Sequence, residues 1–548
     1  MTRRLAASLV AIAIVVVACD SGPRPSGPPN GSVGPSGAPA ASGGPTGRLT
    51  VGLAAEPESL DPALVYQSAG QSVMFALYDT ILTIAPDGTL GKGVADAWTV
   101  VDPTTIELKL HPRLTFHDGS PVDAAAVRFT IDRIRDVDPE TNQPLPDARK
   151  LNSQWARDFT AVDTIEIPDT TTVRIKLKRP DATIPNALGR TFVVPLAYKV
   201  EKGNAIFSKP VGSGPFTFKD SVKDDHVTVV RNPSYWDSPR GQPLVGEVLF
   251  RSIPDAATRL NELVTGGVQL IQDPPVDQLD RITGAGGRVA TIDDGRRYLI
   301  WISMDGKGAV AENPQKTADQ KKALEALAKP AVREALNVAI DRQTIIDTLL
   351  DGKGAPMTNI LVKPDLGFDA SIAPFRYEPD RARQLLKDAG YAAGFSVDLD
   401  VCTCDRSDLP EAVVGELAKI GVKATIKPFE VSTFNSDWSS GKTDPLRASR
   451  LSFSDPNVYL QLWLRSGGLL SRYGNPAVDA LIDQQAAEYD VAKRAQVIGQ
   501  IATQTRTDLP AIFLWSSPNL YGVAKSVSSW SPTLLGYLPV TGVAVTGG

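Results

Sequence analysis

Phe116-His117-Asp118-Gly119-Ser120-Pro121, Pro210-Val211-Gly212-Ser213-Gly214-Pro215-Phe216 and Arg231-Asn232-Pro233-Ser234-Tyr235-Trp236 are the stretches that decide the fold. Each is a turn or a strand end with a local physical reason. Gly119 and Gly214 sit where turns favour positive φ, a region glycine enters without steric cost. Pro233 has no N–H to give a ladder, and Tyr235-Trp236 supplies bulky apolar cover. Outward from these, alternating runs at 106–110, 173–177, 227–230, 395–401 and 423–427 read as half-buried strands. Helical patterns lie between them. Asp123 is placed to cap a helix with Val127, Ile131 and Ile134 on one face. Pro330 suits the first turn of a helix turning Val332, Leu336, Ala339 and Leu349 inward. Pro379 opens another over 380–389, with Gly390 as a left-handed stop, and 411–420 and 477–489 are helical as well. The class is α/β, with room for α+β insertions. Residues 309–329, rich in Lys and Ala, read as an exposed, partly helical insertion or as an ordinary surface helix.

The amino terminus has its own pattern. Arg3-Arg4 precedes an apolar run from Leu5 to Val17, and Val16-Val17-Ala18-Cys19 closes it. The run falls short of the ~20 apolar residues a membrane span needs, so it reads as an export signal over 1–18. Residues 19–47 are mostly Gly, Pro, Ser and Ala, and such a segment buries too little apolar surface to offset its ordering entropy. It is a leash. The end of the signal resembles a bacterial lipobox. That resemblance implies that Cys19 takes a lipid and becomes the first residue, which places the protein on the outer face of the cell membrane. The other reading is a plain signal peptide that removes Cys19.

About 500 residues then remain, enough for two or more well-buried domains. Hydrophobic residues make up 42% and charged residues 22% of the chain, ordinary for a globular protein. The formal charge is −5, and no Lys/Arg run is present, which argues against nucleic acid and against a polybasic membrane grip. The lipid is then the only anchor. Besides Cys19 the cysteines are Cys402 and Cys404, for which free thiols, a local disulfide and a metal site are all open. A metal would need more ligands, and the chain has three histidines, so no metal and no cofactor are expected.

Six segments in order resemble the oligopeptide, dipeptide and nickel family of extracytoplasmic solute-binding proteins that serve ABC importers. They are Leu49-Thr50-Val51 to Leu60-Asp61-Pro62; Val94-Ala95-Asp96-Ala97-Trp98 with the Phe116 turn; the Pro210 and Arg231 stretches; Phe250-Arg251-Ser252-Ile253-Pro254-Asp255 with Leu263-Val264-Thr265-Gly266-Gly267; Val332-Arg333-Glu334-Ala335-Leu336 with Ala339-Ile340-Asp341-Arg342; and Tyr377-Glu378-Pro379-Asp380-Arg381-Ala382 to Ala389-Gly390-Tyr391. The resemblance implies a two-lobed periplasmic-binding-protein-like fold with an extra subdomain. Lobe one would span 48–297 with an insertion near 88–200, lobe two 298–505, and 506–548 would return to lobe one. It also implies an ABC permease as partner, a monomer, and lobe closure over a solute. His117, in its turn, is expected to play a hydrogen-bonding structural role.

Peptide-binding members carry an acid in a Trp-x-x-Asp-Tyr-x-Asp-Pro-like stretch of lobe two, paired with the peptide ammonium. Here Asp455-Pro456 sets the register, so Ser452 stands at the acid position and Ser449 at the tryptophan position, with Arg447 and Arg450 nearby. A buried ammonium beside guanidinium groups is penalised by desolvation and repulsion. An uncharged or anionic solute is therefore expected, oligosaccharide-like or blocked-peptide-like. The alternative is that Arg447 and Arg450 face solvent and Glu56 receives the ammonium. The candidate ligand-binding residues are Glu56, Trp301, Arg450, Ser452 and Phe453, the aromatic pair for stacking on sugar rings or side chains.

No catalytic residue is nominated. Ser439-Ser440-Gly441-Lys442 matches Ser-x-x-Lys, but the Ser-Asp-Asn and Lys-Thr-Gly partners are missing. No Gly-x-Ser-x-Gly elbow, Walker loop or His-Glu-x-x-His occurs. The leading expectation is a non-enzymatic, lipid-anchored solute receptor. A sensory or chaperone-like lipoprotein on the same fold is the alternative, and a hydrolase is a further one.

Overall fold

The computed structural model describes residues 47–546 apart from 86–87, 199–207, 237–239, 305–316, 404–405, 441–444 and 453–454. The expected signal, Cys19 and nearly all of the leash lie outside the described residues, as does Phe453.

Two large mixed sheets carry the molecule. The first has seven strands, in the order 288–292, 519–523, 270–272, 48–53, 247–252, 226–231 and 216–222. Its central strand, Arg48–Leu53, runs parallel to both neighbours, and Leu49, Val51 and Leu53 are buried in the lobe-one core. The second has six strands, in the order 355–356, 511–516, 297–302, 446–451, 395–402 and 422–429. Strands Phe395–Cys402 and Val422–Phe429 run parallel there, joined by helix Asp408–Ala418. Side chains alternate between faces along a strand. Accordingly Ile300 and Ile302 enter one core of this lobe, and Leu299 and Trp301 the other.

The chain passes between the sheets twice, at 293–296 and at 517–518. The N–H of Ser517 donates to the Arg296 carbonyl at 3.2 Å, so the two crossings are bonded to each other. The expected return at 506 is corrected here. Strand Ala511–Ser516 pairs with Arg297–Ile302 inside the second sheet, and the chain leaves that sheet only after it.

A four-stranded antiparallel sheet lies between the first lobe-one strand and the rest of that sheet in sequence, ordered 95–102, 105–110, 172–177 and 162–169. It packs on helix Ala124–Ile134, whose Asp123 side chain accepts from Ala126 N at 3.0 Å.

The fold-deciding stretches converge on Asp79, which the sequence did not single out. Its buried carboxylate accepts from Tyr235 Oη and Trp236 Nε1, both at 2.9 Å, from Ser213 Oγ at 3.1 Å, and from Arg240. His117 ties in the same turn: its Nδ1 accepts from Gly212 N at 3.2 Å and its Nε2 donates to the Gly214 carbonyl at 3.0 Å. Gly119 has the expected positive φ, 83°. Gly214 does not, which corrects that reading. It is glycine because a Cβ there would lie 2.6 Å from the Leu77 carbonyl carbon.

Two more local expectations change. The helix that opens at Pro330 stops at Val338, and Asp341 caps a separate helix, Arg342–Leu349, by accepting from Thr344 N. Within the Lys- and Ala-rich stretch, helix Ala318–Leu327 buries Ala323, Leu324, Ala326 and Leu327 in the lobe-two core, so this part is not an exposed insertion.

Candidate functional site

The carboxyl ends of sheet strands are where α/β folds place ligands. In the first sheet, strand Leu270–Gln272 ends at Asp273, which is held in the left-handed region at φ 48°. Arg259 fixes that end. Its buried guanidinium donates to the carbonyls of Gln272 at 3.0 Å, Asp273 at 3.1 Å, Ile253 at 2.6 Å and Pro254 at 3.0 Å. The Gln272 amide then donates to Ser68 Oγ at 3.2 Å, at the start of helix Ser68–Leu77.

The first crossing and the start of strand Asn519–Val523 supply the middle of the site. Asp294 is 4% exposed. Its carboxylate accepts from Arg296 N at 3.2 Å, from the Asn519 amide, and from Ser452 Oγ at 2.9 Å. The guanidinium of Arg296 reaches back to Asp273 at 3.1 Å. Ser452 stands just past the end of lobe-two strand Leu446–Leu451. Residues from both lobes and the first crossing thus enclose one polar cavity of about 180 Å³, lined among others by Gln272, Asp273, Asp294, Arg296, Ser452 and Asn519.

Electrostatics differ within it. Burial pushes the Asp294 carboxyl up, against the opposing pull of Arg296. Burial also pushes Asp273 up, but Arg296 and Arg450 overcome it and hold that carboxyl below its ordinary range. The Tyr521 phenol is held well above its usual range by burial and by Asp294 and Asp273.

Three residues along the strand from Ser452, Ser449 lines a second cavity, of about 480 Å³, under helix Asp408–Ala418. Its walls are largely apolar: Tyr298, Ile300, Val401, Leu409, Val413 and Trp515. Tyr298 and Trp515 stack with centroids 5.7 Å apart. The larger volume is within the range of small-molecule pockets.

Away from the crossings the halves touch again. Ala182 N donates to the Ala486 carbonyl at 2.6 Å, and Tyr489 Oη accepts from Asp181 N at 3.4 Å and donates to the Pro103 carbonyl at 3.3 Å. Beside this contact Arg494 holds Asp455 in a bidentate pair at 2.6 and 2.8 Å.

Of the candidate residues, Ser452 lines the polar cavity and Arg450 is exposed beside it, acting on Asp273. Glu56 lies at the end of the first strand, where its carboxylate accepts from Asp224 N at 3.0 Å. Trp301 is 3% exposed and stacks on Trp463 at 4.6 Å within lobe two. Arg447, expected beside Ser452, is turned into lobe two instead. It donates to the Phe434 carbonyl at 2.7 Å and lies 3.7 Å over that ring. Burial there, opposed by Asp400 and helped by Arg472, lowers its pKa to about 9. Ser452 hydrogen-bonds an acid from the first crossing, Asp294, in a cavity that Arg296 also lines. Asp294 and Arg296 went unnoticed because they sit in a short polar connection without periodicity, and Asn519 because it is the polar first residue of a strand. The one available signal was the charged run Asp293-Asp294-Gly295-Arg296-Arg297 next to an apolar strand. Cys402 is disulfide-bonded, which settles its state against a free thiol, and the chain's other cysteines lie outside the described residues.

The family model for bacterial extracellular solute-binding proteins, family 5, middle region, matches residues 89–470. Heme-binding protein A of Haemophilus influenzae is 25% identical over 531 residues, 90% of this chain and 91% of that protein. Glutathione-binding protein GsiB of Pectobacterium atrosepticum is 27% identical over 480 residues, 83% of this chain and 86% of that one. Among solved structures, the binding protein AgaA of A. tumefaciens R10 in complex with agropinic acid superposes with a TM-score of 0.75 at 22% identity, covering 92% of this chain and 99% of AgaA.

Proposed function

The chain belongs to the bacterial extracellular solute-binding proteins of family 5, which deliver peptides or similar ligands to ABC importers, and from that premise we propose how this member works. It is a receptor tethered by lipid at Cys19, with residues 20–47 as the leash that lets the folded part reach a permease. It carries no catalytic residue, acts as a monomer, and takes a peptide-like or oligosaccharide-like solute between its lobes.

The observation that carries the reading is the polar cavity built jointly by Gln272 and Asn519 of lobe one, Asp294 of the first crossing, and Ser452 of lobe two. A solute touching all of these binds the apposed lobes better than separated ones, and that difference in affinity is what shifts the population. Ser452 and Arg450 are the contacts proposed from lobe two, and the neighbouring apolar cavity offers room for a side chain or ring face. The relatives' ligands, a heme, glutathione and agropinic acid, belong to those proteins and show how varied the solute on one scaffold can be.

The test is small-angle scattering on the purified protein, with mass spectrometry of whatever solute co-purifies. The radius of gyration should contract on adding that solute to stripped protein. A profile that never contracts with any solute opposes the reading. Cys19→Ser should move the full-length protein from the membrane fraction to the soluble one.

A further inference from the structure

We propose that the apolar cavity of lobe two is a specificity pocket for an uncharged apolar side group of the solute, larger than a single benzene ring. This deepens the receptor reading and rests on it. Strand pairing opens the cavity. Among the described residues, strands Phe395–Cys402 and Leu446–Leu451 pair at Leu399–Leu446 and Asp400–Arg447, and then part. On its other side Leu446–Leu451 stays paired along its whole length with Arg297–Ile302. The fork therefore opens at the carboxyl ends of two parallel strands, where α/β folds place ligands. Val401 and Thr403 line one prong, Ala448 and Ser449 the other. Ala448 lies opposite Ile300 in the sheet, so both turn to one face. Helix Asp408–Ala418 covers that face, with Leu409 and Val413 as the roof of the cavity.

The walls select the occupant. Among the described residues, the charged ones at the cavity are Arg406 and Glu411, and both are exposed. Arg406 is matched by Asp408 at 3.0 Å. A charged group carried past them would lose its water and gain no buried counter-ion, which selects a neutral one. Tyr298, half-buried and stacked on Trp515, supplies an aromatic wall. Protein cores hold few voids larger than a water molecule, so about 480 Å³ beside a packed core is space for a guest. An apolar cavity of ~150 Å³ takes benzene. One about three times larger takes an indole- or naphthalene-sized ring system, or a branched aliphatic group of that bulk. The pocket is also within reach of the polar cavity. Ser449 at one and Ser452 at the other are separated by ~10 Å of extended chain. A solute the length of a tripeptide spans that distance, its polar part between the lobes and its side group sunk in lobe two.

The experiment offers the whole protein a tripeptide library, with free and with acetylated amino termini. One position at a time is glycine, leucine, cyclohexylalanine, tryptophan, naphthylalanine, glutamate or lysine. Retained species are read by mass spectrometry and affinities by calorimetry. Enrichment of bulky neutral members over glycine, glutamate and lysine at one position supports the proposal. Tryptophan and naphthylalanine against leucine and cyclohexylalanine then tells an aromatic guest from an aliphatic one. A bulky member should bind roughly 10–100-fold tighter than its glycine counterpart, the worth of burying one large side chain. Ala448→Phe and Ile426→Trp fill the cavity from different strands. In either variant that folds, by circular dichroism and urea midpoint, the ratio of bulky to glycine affinity should fall most of the way to one. Equal retention of glycine and bulky members, enrichment of glutamate or lysine there, or a preference that survives filling overturns the pocket. If solutes contract the scattering profile without a bulky preference, the pocket falls while the receptor reading stands. If no solute contracts it, both fall.

Discussion

Ala182 and Ala486 are joined by a main-chain hydrogen bond of 2.6 Å that runs from the inserted subdomain to a helix of lobe two. The lobes therefore meet at a second place, away from the crossings, and Tyr489 completes the contact by bonding Asp181 N and the Pro103 carbonyl. Such a contact exists only while the lobes are apposed. Tyr489→Phe removes both side-chain bonds and keeps the ring. At about 1 kcal/mol for the two long bonds together, solute affinity should drop roughly five-fold, mostly through faster dissociation. Calorimetry and stopped-flow release measure it; an unchanged off-rate would show that the latch carries no closure energy.

Asp79 is the second test. Four side chains donate to its buried carboxylate, and one of them, Arg240, is a cation. Asp79→Ala leaves a buried guanidinium and three other donors without their acceptor, at a cost of about 3–5 kcal/mol. The midpoint of urea unfolding should fall accordingly. Asp79→Asn retains one acceptor oxygen and should cost less.

The pH dependence follows from His117. Burial holds its pKa below the ordinary 6.5, with the bond to the Gly214 carbonyl opposing. The bonding pattern requires the neutral ring, since Nδ1 must accept from Gly212 N while Nε2 donates. A folded-state pKa below the unfolded one gives stability that is fully present above about pH 6.5 and is lost as pH falls through the lower folded value. Urea midpoints of the wild type should therefore decline between pH 7 and pH 5. His117→Asn should be less stable at pH 7 yet show a shallower acid limb.

The scaffold was legible in the sequence because its marks are local. Asp123 and Pro379 announce helix starts, and the five alternating runs all fall within strands, since period-two burial needs no knowledge of the partner strand. The convergence of Ser213, Tyr235 and Trp236 on Asp79 was not legible, because the acid is over a hundred residues from them in the chain. The site was legible only at Ser452. Its partner Asp294 was not legible, because a hydrogen bond spanning 158 positions leaves no trace in local spacing. Arg447 and Arg450 show the same limit: three residues apart on a strand, they take opposite faces, one into the core and one exposed.

Arg259 gives the last prediction, because it separates positioning from stability. It does not line the polar cavity, yet it grips the carbonyls of Gln272 and Asp273, two residues that do. It also grips Ile253 and Pro254. Arg259→Met fills similar space and leaves those four acceptors unpaired, costing about 2–4 kcal/mol of stability. Asp273, no longer held, can leave its left-handed conformation, which a non-glycine residue adopts only under constraint. Leu327→Ala, a truncation in the lobe-two core, should cost a similar ~2–5 kcal/mol through its cavity. Both variants are then compared by calorimetry well below their melting temperatures. Arg259→Met should lose at least ten-fold in solute affinity, and Leu327→Ala should lose little. Equal losses would mean that affinity merely follows global stability and that the guanidinium does not position the cavity wall.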